Sequence, residues 1–277
     1  MRPRFLTALS IMPYLSLLRV RFLNGLQYRA AAFGGLVTQF FWGIMLLFIY
    51  RAFFGDAAAS GGFYYGDLVT YIWLQQAFLM FVFLYDWDAE LLEMITTGGI
   101  GYELCRPVNI YQMWYVKLLS KRLARGLMRF LPILIIGFLM PYPFNMSLPY
   151  SPVALLLFII TMVLGLLLLV SISMIVYISI FKTMSPIGSM SIFGVIGEFF
   201  SGMILPIPLM PLWLQDVTMF MPFRWTADLP FRVYTGHIGP SEALFGIAMQ
   251  LFWMIILVSA GAYVMKRVTR LSMMQGG

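Results

Sequence analysis

Long uncharged stretches govern what this chain can fold into. From Phe130 to Phe181 there is no Asp, Glu, Lys or Arg. A second uncharged run covers residues 30–50 between Arg29 and Arg51, and a third runs from Leu68 to Tyr85, ending at Asp86. A helix rises 1.5 Å per residue, so about 20 residues cross the roughly 30 Å hydrocarbon layer. Segments of this kind need lipid as their solvent. The whole chain agrees: 61% of its 277 residues are hydrophobic, 10% are charged and mean hydropathy is +0.89. A soluble domain has roughly 45–50% and 25%.

Six spans are expected. The first two are residues 30–50 and 68–85, joined by a Gly-, Ala- and Ser-rich loop from Gly55 to Gly62. The 130–181 run is divided by prolines between Pro141 and Pro152 into spans at 130–148 and 153–181, because proline stops helices and favours turns. A fifth is expected at 185–205, interrupted by Glu198, and a sixth at 243–265, closed by Lys266, Arg267 and Arg270. Residues 86–129 are too polar to cross and are placed at a membrane face. Residues 206–242 carry Pro206, Pro208, Pro211, Pro222, Pro230 and Pro240 among aromatic residues, which suits short interfacial or re-entrant pieces.

Charge sets the orientation. Only Arg51, Arg224 and Arg232 fall in one set of loops, and the remaining basic residues fall in the other set and the end segments. The positive-inside rule places both termini in the cytoplasm and residues 206–242 outside. In segment 1–29, Leu15, Leu18, Phe22 and Leu26 follow helical spacing, which predicts a helix along the cytoplasmic interface, although Leu17, Val20 and Leu23 break the pattern. A plain basic flank is the alternative. The net charge of +7 is not gathered in a polar domain with interleaved aromatics, so nucleic acid is not an expected partner.

Catalytic patterns fail in turn. One cysteine, Cys105, and one histidine, His237, exclude multi-ligand thiolate or imidazole metal sites and an intrachain disulfide. There is no G-x-x-x-x-G-K-[ST] phosphate cradle. Ser179 and Lys182 have S-x-x-K spacing, but a lysine at a span end is explained by snorkelling. His237 reads as a solvated loop residue and Cys105 as a small packing residue. Glu198 has two readings. It is a polar group on a translocation path or proton site, with Gly188, Gly194, Gly197 and Gly202 permitting close helix approach, or a hydrogen-bonding glue between helices.

Two stretches carry a family resemblance. After the second span stand Glu90-Leu91-Leu92-Glu93-Met94-Ile95, then Thr97-Gly98-Gly99, then Tyr102-Glu103-Leu104-Cys105-Arg106-Pro107. After the fifth stand Pro206-Ile207-Pro208-Leu209-Met210-Pro211-Leu212-Trp213-Leu214, then Met221-Pro222-Phe223. In this order, with six spans and no phosphate cradle, the chain resembles permease subunits of ABC transporters of the type-2 exporter membrane-domain family.

The resemblance implies an all-α integral membrane fold. It would comprise six transmembrane helices, an N-terminal interfacial helix, a cytoplasmic coupling helix within 86–129, and an extracytoplasmic re-entrant hairpin between spans five and six. It implies ATPase coupling through Glu90, Leu91, Glu93, Met94, Gly98, Gly99, Glu103, Arg106 and Pro107. It also implies a translocation path or gate at Glu198, Gly202, Pro206, Pro208, Pro211, Trp213 and Pro222. The implied partners are separate ABC ATPase subunits carrying ATP and Mg, a second permease as homo- or heterodimer, and the lipid bilayer. No cofactor is expected on this chain, and the implied location is the bacterial cytoplasmic (inner) membrane. An ion-coupled secondary transporter using Glu198, with internal repeats not detected in the sequence, and a non-transport membrane scaffold are the alternatives.

Overall fold

Proline and short polar side chains set the starts of several helices. The computed structural model describes residues 11–54, 63–183 and 185–275, and the 55–62 loop lies outside them. The described helices are α1 (Met12–Gly25), α2 (Arg29–Phe54), α3 (Tyr65–Val82), α4 (Ala89–Thr96), α5 (Ile100–Leu104), α6 (Ile110–Leu139), α7 (Pro152–Thr183), α8 (Pro186–Phe200), α9 (Leu212–Met219), α10 (Asp228–Tyr234) and α11 (Pro240–Gln275), with a 3-10 turn at Ile207–Leu209. No strand occurs among the described residues. Pro152, Pro186 and Pro240 open α7, α8 and α11, where a missing amide hydrogen costs nothing. Asp88 and Asn109 cap α4 and α6 by accepting hydrogen bonds from the Leu91 and Gln112 amides, each at 3.2 Å.

Three stretches are long and apolar enough to cross a membrane: Arg29–Phe53 in α2, all of α7, and Pro240–Thr269 in α11. The other expected spans differ from these. α3 carries Asp67, Gln75 and Gln76, and α8 is only 15 residues long. The helix expected over 130–148 instead runs from Ile110 to Leu139, and residues 141–148 are not helical. Lys117, Lys121, Arg122 and Arg125 therefore lie on the same continuous helix as the apolar residues 130–139. They are tolerated there because carboxylates and a carbonyl from residues 83–103 face them. At 30 residues α6 is roughly 45 Å long, about 15 Å more than the hydrocarbon layer.

α7 packs against α11, α3 lies along α6, and α1 lies on α6. The partly covered residues of α1 are Tyr14, Leu17, Leu18, Arg21, Phe22 and Gly25, with Leu26 just beyond its end, whereas Leu15 is 55% exposed. Three members of the predicted stripe, Leu18, Phe22 and Leu26, are thus on the covered side, while Leu15 is not and Leu17 joins them, because α1 seats on α6. A Cβ at Gly25 would overlap that of Ala124.

The bundle has two distinct ends. One gathers α1, α4, α5, the start of α6 and the end of α7, where Trp114 stacks on Phe181. The other gathers the start of α3, residues 140–151 and residues 234–239, joined by Tyr150 N donating to Tyr234 O at 3.1 Å and by Phe63 stacked on His237 at 4.0 Å. His237 is therefore not a solvated loop residue. Its imidazole is 20% exposed and lies 3.5 Å from Asp67.

Helix approach here depends on absent side chains. A Cβ on Gly165 of α7 would meet the Thr226 carbonyl oxygen at 2.5 Å, whereas one on Gly34 of α2 would meet nothing within 4 Å. Gly165→Val should lower stability by about 1–3 kcal/mol and Gly34→Ala should leave it unchanged or slightly raised, as read by thermal unfolding in mild detergent.

Candidate functional site

The segment between α3 and α6 is an acidic arm folded back onto basic helices. Its first turn is shaped by Asp88, its end by Gly98 at φ +75, a left-handed conformation glycine accepts without strain. α4 then presents two faces. Leu91 and Ile95 are buried, while Glu93, Thr96 and Thr97 are exposed and Met94 is half-covered. In α5 Ile100 and Glu103 point inward, and Gly101 and Tyr102 point out, followed by exposed Cys105, Arg106 and Pro107. Cys105 is an exposed free thiol, not a packing residue.

The residues grouped by sequence as coupling residues therefore divide. Glu90 pairs with Arg21 at 2.5 Å and with Lys117 at 3.1 Å. Glu103 pairs with Lys117 at 2.6 Å and accepts from the Trp114 indole. Lys117 and Glu103 are 4% and 5% exposed, so this pair sits inside protein. Glu90, Leu91 and Glu103 hold the arm down. Glu93, Gly98, Arg106 and Pro107 face outward, with Gly99 half-covered.

Partial burial raises the Glu90 carboxyl, but the hydrogen bonds and charge of Arg21 and Lys117 outweigh it and leave the group below the usual carboxylate range. A depressed carboxylate contributes stability above its unfolded value, about 4.3, and loses it as pH falls through the lower folded value.

Glu198 on α8 is buried and accepts a 2.6 Å hydrogen bond from the Leu84 amide. Arg122 donates to the adjacent Phe83 carbonyl at 2.6 Å and to Ser173 Oγ at 3.2 Å. The Asp88 amide donates to the Tyr177 hydroxyl, and Lys121 donates to the Trp87 carbonyl. Backbone groups freed where α3 ends are thus met by side chains from α6, α7 and α8. Ser179 donates to Val176 O at 2.7 Å and Lys182 is exposed, so the two do not form a dyad.

The second predicted group is also split. Gly202 at φ +83 is covered, its carbonyl accepting from Gln75 at 2.8 Å. Pro206 and Pro208 are buried, Pro222 is half-covered, and Pro211 and Trp213 are exposed. Beside them is an ion cluster that the sequence does not single out. Asp228, fully buried, contacts the Tyr71 hydroxyl at 3.2 Å and lies 3.6 Å from both Arg224 and Arg232. Its only sequence signal is a carboxylate among aromatic residues. No group of His, Cys, Asp or Glu among the described residues is arranged to hold a metal.

A family model described as ABC-2 family transporter protein matches residues 40–273, most of the chain. The chain belongs to the ABC-2 family of transporters. No individual protein of established function matches it significantly. As an ABC-2 membrane protein it is a transmembrane subunit of an ABC transporter, a permease component rather than the catalytic one. ABC ATPase subunits are its kind of partner. The ion-coupled and scaffold alternatives give way to this assignment.

Two outcomes test how the arm is held. Lys117→Met strands Glu103 and should cost about 3–5 kcal/mol, much of it recovered in Lys117→Met/Glu103→Leu, by thermal unfolding. The distribution of distances between spin labels at the exposed positions Ser16 and Thr96 should stay narrow at pH 5 and above and broaden only once the pH falls below the usual carboxylate range. Glu90→Gln should broaden it already at pH 7.

Proposed function

We propose that this ABC-2 chain is one half of an ATP-driven exporter. It would form the translocation pathway with a second permease, a copy or a relative, and be driven by separate ATPase subunits that hold ATP and Mg. The basic end faces the cytoplasm of a bacterial inner membrane, as the distribution of Lys and Arg favours. The six crossings are α2, α3, the apolar half of α6, α7, α8 and α11, with both chain ends cytoplasmic. Residues 206–239 fold back into the outer half as a re-entrant unit, a reading supported by the contact of Thr226 with Gly165 midway along α7.

One observation carries the proposal. The arm of α4 and α5 is clamped from beneath by Leu91, Glu103 and Lys117 while Glu93, Tyr102, Arg106 and Pro107 are left on its outer face. A subunit that closes on ATP needs a short, exposed element fixed to the crossing helices. This arm is joined to α3 through residues 83–88 and to α6 through Asn109. Glu93 and Arg106 are the contact charges, Met94 and Gly98-Gly99 shape the surface, and Glu90 and Glu103 transmit force through Arg21 and Lys117.

The path or gate comprises Glu198, Gly202, Pro206, Pro208, Pro211, Trp213 and Pro222. Exposed Pro211 and Trp213 form its facing surface, and the covered members form the packing behind it.

Affinity purification from mild detergent tests the docking surface. An ATPase should copurify with the native chain, and Glu93→Ala/Arg106→Ala should reduce its recovery about tenfold while leaving the permease monodisperse, since both side chains are exposed. Undiminished recovery in the double variant would sink the docking assignment.

A further inference from the structure

Two adjoining grooves follow the seam where α1 and the start of α2 meet α6. The polar one, about 510 Å³, is lined by Arg21, Lys121, Arg125 and Arg129 together with Lys117 and Asp88. The apolar one, about 430 Å³, is lined by Leu26, Phe33, Leu36 and Pro132, with Arg29 beside them. Ala32 and Met128 line both, so one groove continues into the other. Each is of the size that holds a small ligand.

The charges in the seam are not all matched. Arg21 and Lys117 engage Glu90, Lys117 also engages Glu103, and Lys121 and Arg125 share Asp86, with Asp88 3.9 Å from Lys121. Arg129 has no carboxylate partner among the described residues. One of its terminal nitrogens donates to the Ala31 carbonyl at 3.2 Å, the other meets Met80 Sδ at 3.6 Å, and its buried Nε has no hydrogen-bond partner. Gly35 leaves the room this guanidinium occupies, since a Cβ there would overlap it. Arg29 likewise makes no ion pair among the described residues.

We infer that this seam binds one anionic phospholipid from the leaflet at the basic end. Its phosphate sits where the grooves join, against the two guanidinium groups that no carboxylate pairs among the described residues, Arg29 and Arg129, and an acyl chain lies along Leu26, Phe33, Leu36 and Pro132. The succession of cationic and apolar walls fits an amphiphile rather than a free anion, and basic pockets between helices on the cytoplasmic side are suited to anionic headgroups. A zwitterionic lipid brings its own ammonium, which Arg21, Lys121 and Arg129 repel. The lipid bridges α1, α2 and α6, steadying the same interface on which the acidic arm rests. The site stands independently of ATPase docking.

Native mass spectrometry of the delipidated full chain, titrated with phosphatidylglycerol or phosphatidylcholine, tests this. Phosphatidylglycerol should bind at least about tenfold more tightly, a difference of about 1.4 kcal/mol. A large excess of inorganic phosphate should not displace it. Arg29→Gln/Arg129→Gln should erase the preference while phosphatidylcholine binding stays as in the native chain, and Arg29→Lys/Arg129→Lys should retain it, which separates lost charge from lost fold. Ala32→Trp, which keeps every charge but fills the junction of the grooves, should weaken phosphatidylglycerol about tenfold. Equal binding of the two lipids, a preference that survives both the double Gln variant and Ala32→Trp, or displacement by phosphate would overturn the proposal; the last would mark a free-anion site.

Discussion

Wherever a helix stops within the thickness of a membrane, its freed amides and carbonyls need partners, because lipid offers none. In this structure long polar side chains meet the backbone groups freed at several helix ends. Where α3 ends, Arg122 takes the Phe83 carbonyl and Glu198 the Leu84 amide. Where residues 140–148 leave α6, Trp73 donates to the Phe144 carbonyl at 2.9 Å and Thr70 accepts from the Ser147 amide at 3.0 Å. At the turn after α8, Gln75 donates to the Gly202 and Met203 carbonyls. Before α10, Gln250 donates to the Trp225 carbonyl at 2.7 Å and to the Thr161 carbonyl of α7 at 2.8 Å.

The same device explains how α3 carries Gln75 and Gln76 on a helix that is mostly buried. Tyr71, Trp73 and Gln75 line a helix whose turns are nearly all covered by protein. Their polar ends reach segments distant in sequence and fix where the irregular parts of the chain lie. Burying such groups is tolerable because each finds a partner, and removing one would leave a desolvated backbone group. Asp228 follows the same logic with charge, held between two arginines and a tyrosine hydroxyl.

The function proposed for this ABC-2 protein rests on that scaffold. The acidic arm is fixed to the bundle by charges from α1 and α6, so its outer face is carried by those helices. Glu90 and Glu103 belong to the clamp and Glu93 and Arg106 to the exposed face, a division that follows from burial and not from residue type. Glu198 has a definite structural partner in the Leu84 amide, and the place beside the path proposed for it does not require it to be free.

The uncharged runs by themselves determined that this chain is an α-helical membrane protein, and they located α2, α7 and α11 to within a few residues at most ends, α11 running further at its C-terminal end. The glycine at position 98 was equally legible, as was the family resemblance. The continuity of α6 was not, because its lysines and arginines look prohibitive until Asp86, Glu90 and Glu103 are seen opposite them. Nor were the place of Leu17 on the packed face of α1, the stacking of His237 or the Asp228 cluster, each of which depends on a partner brought close only by folding. Hydropathy is a property of a segment and is readable along the chain. The pairing that makes a buried charge or an interrupted helix affordable is a property of two or three segments together, so only the tertiary structure decided it.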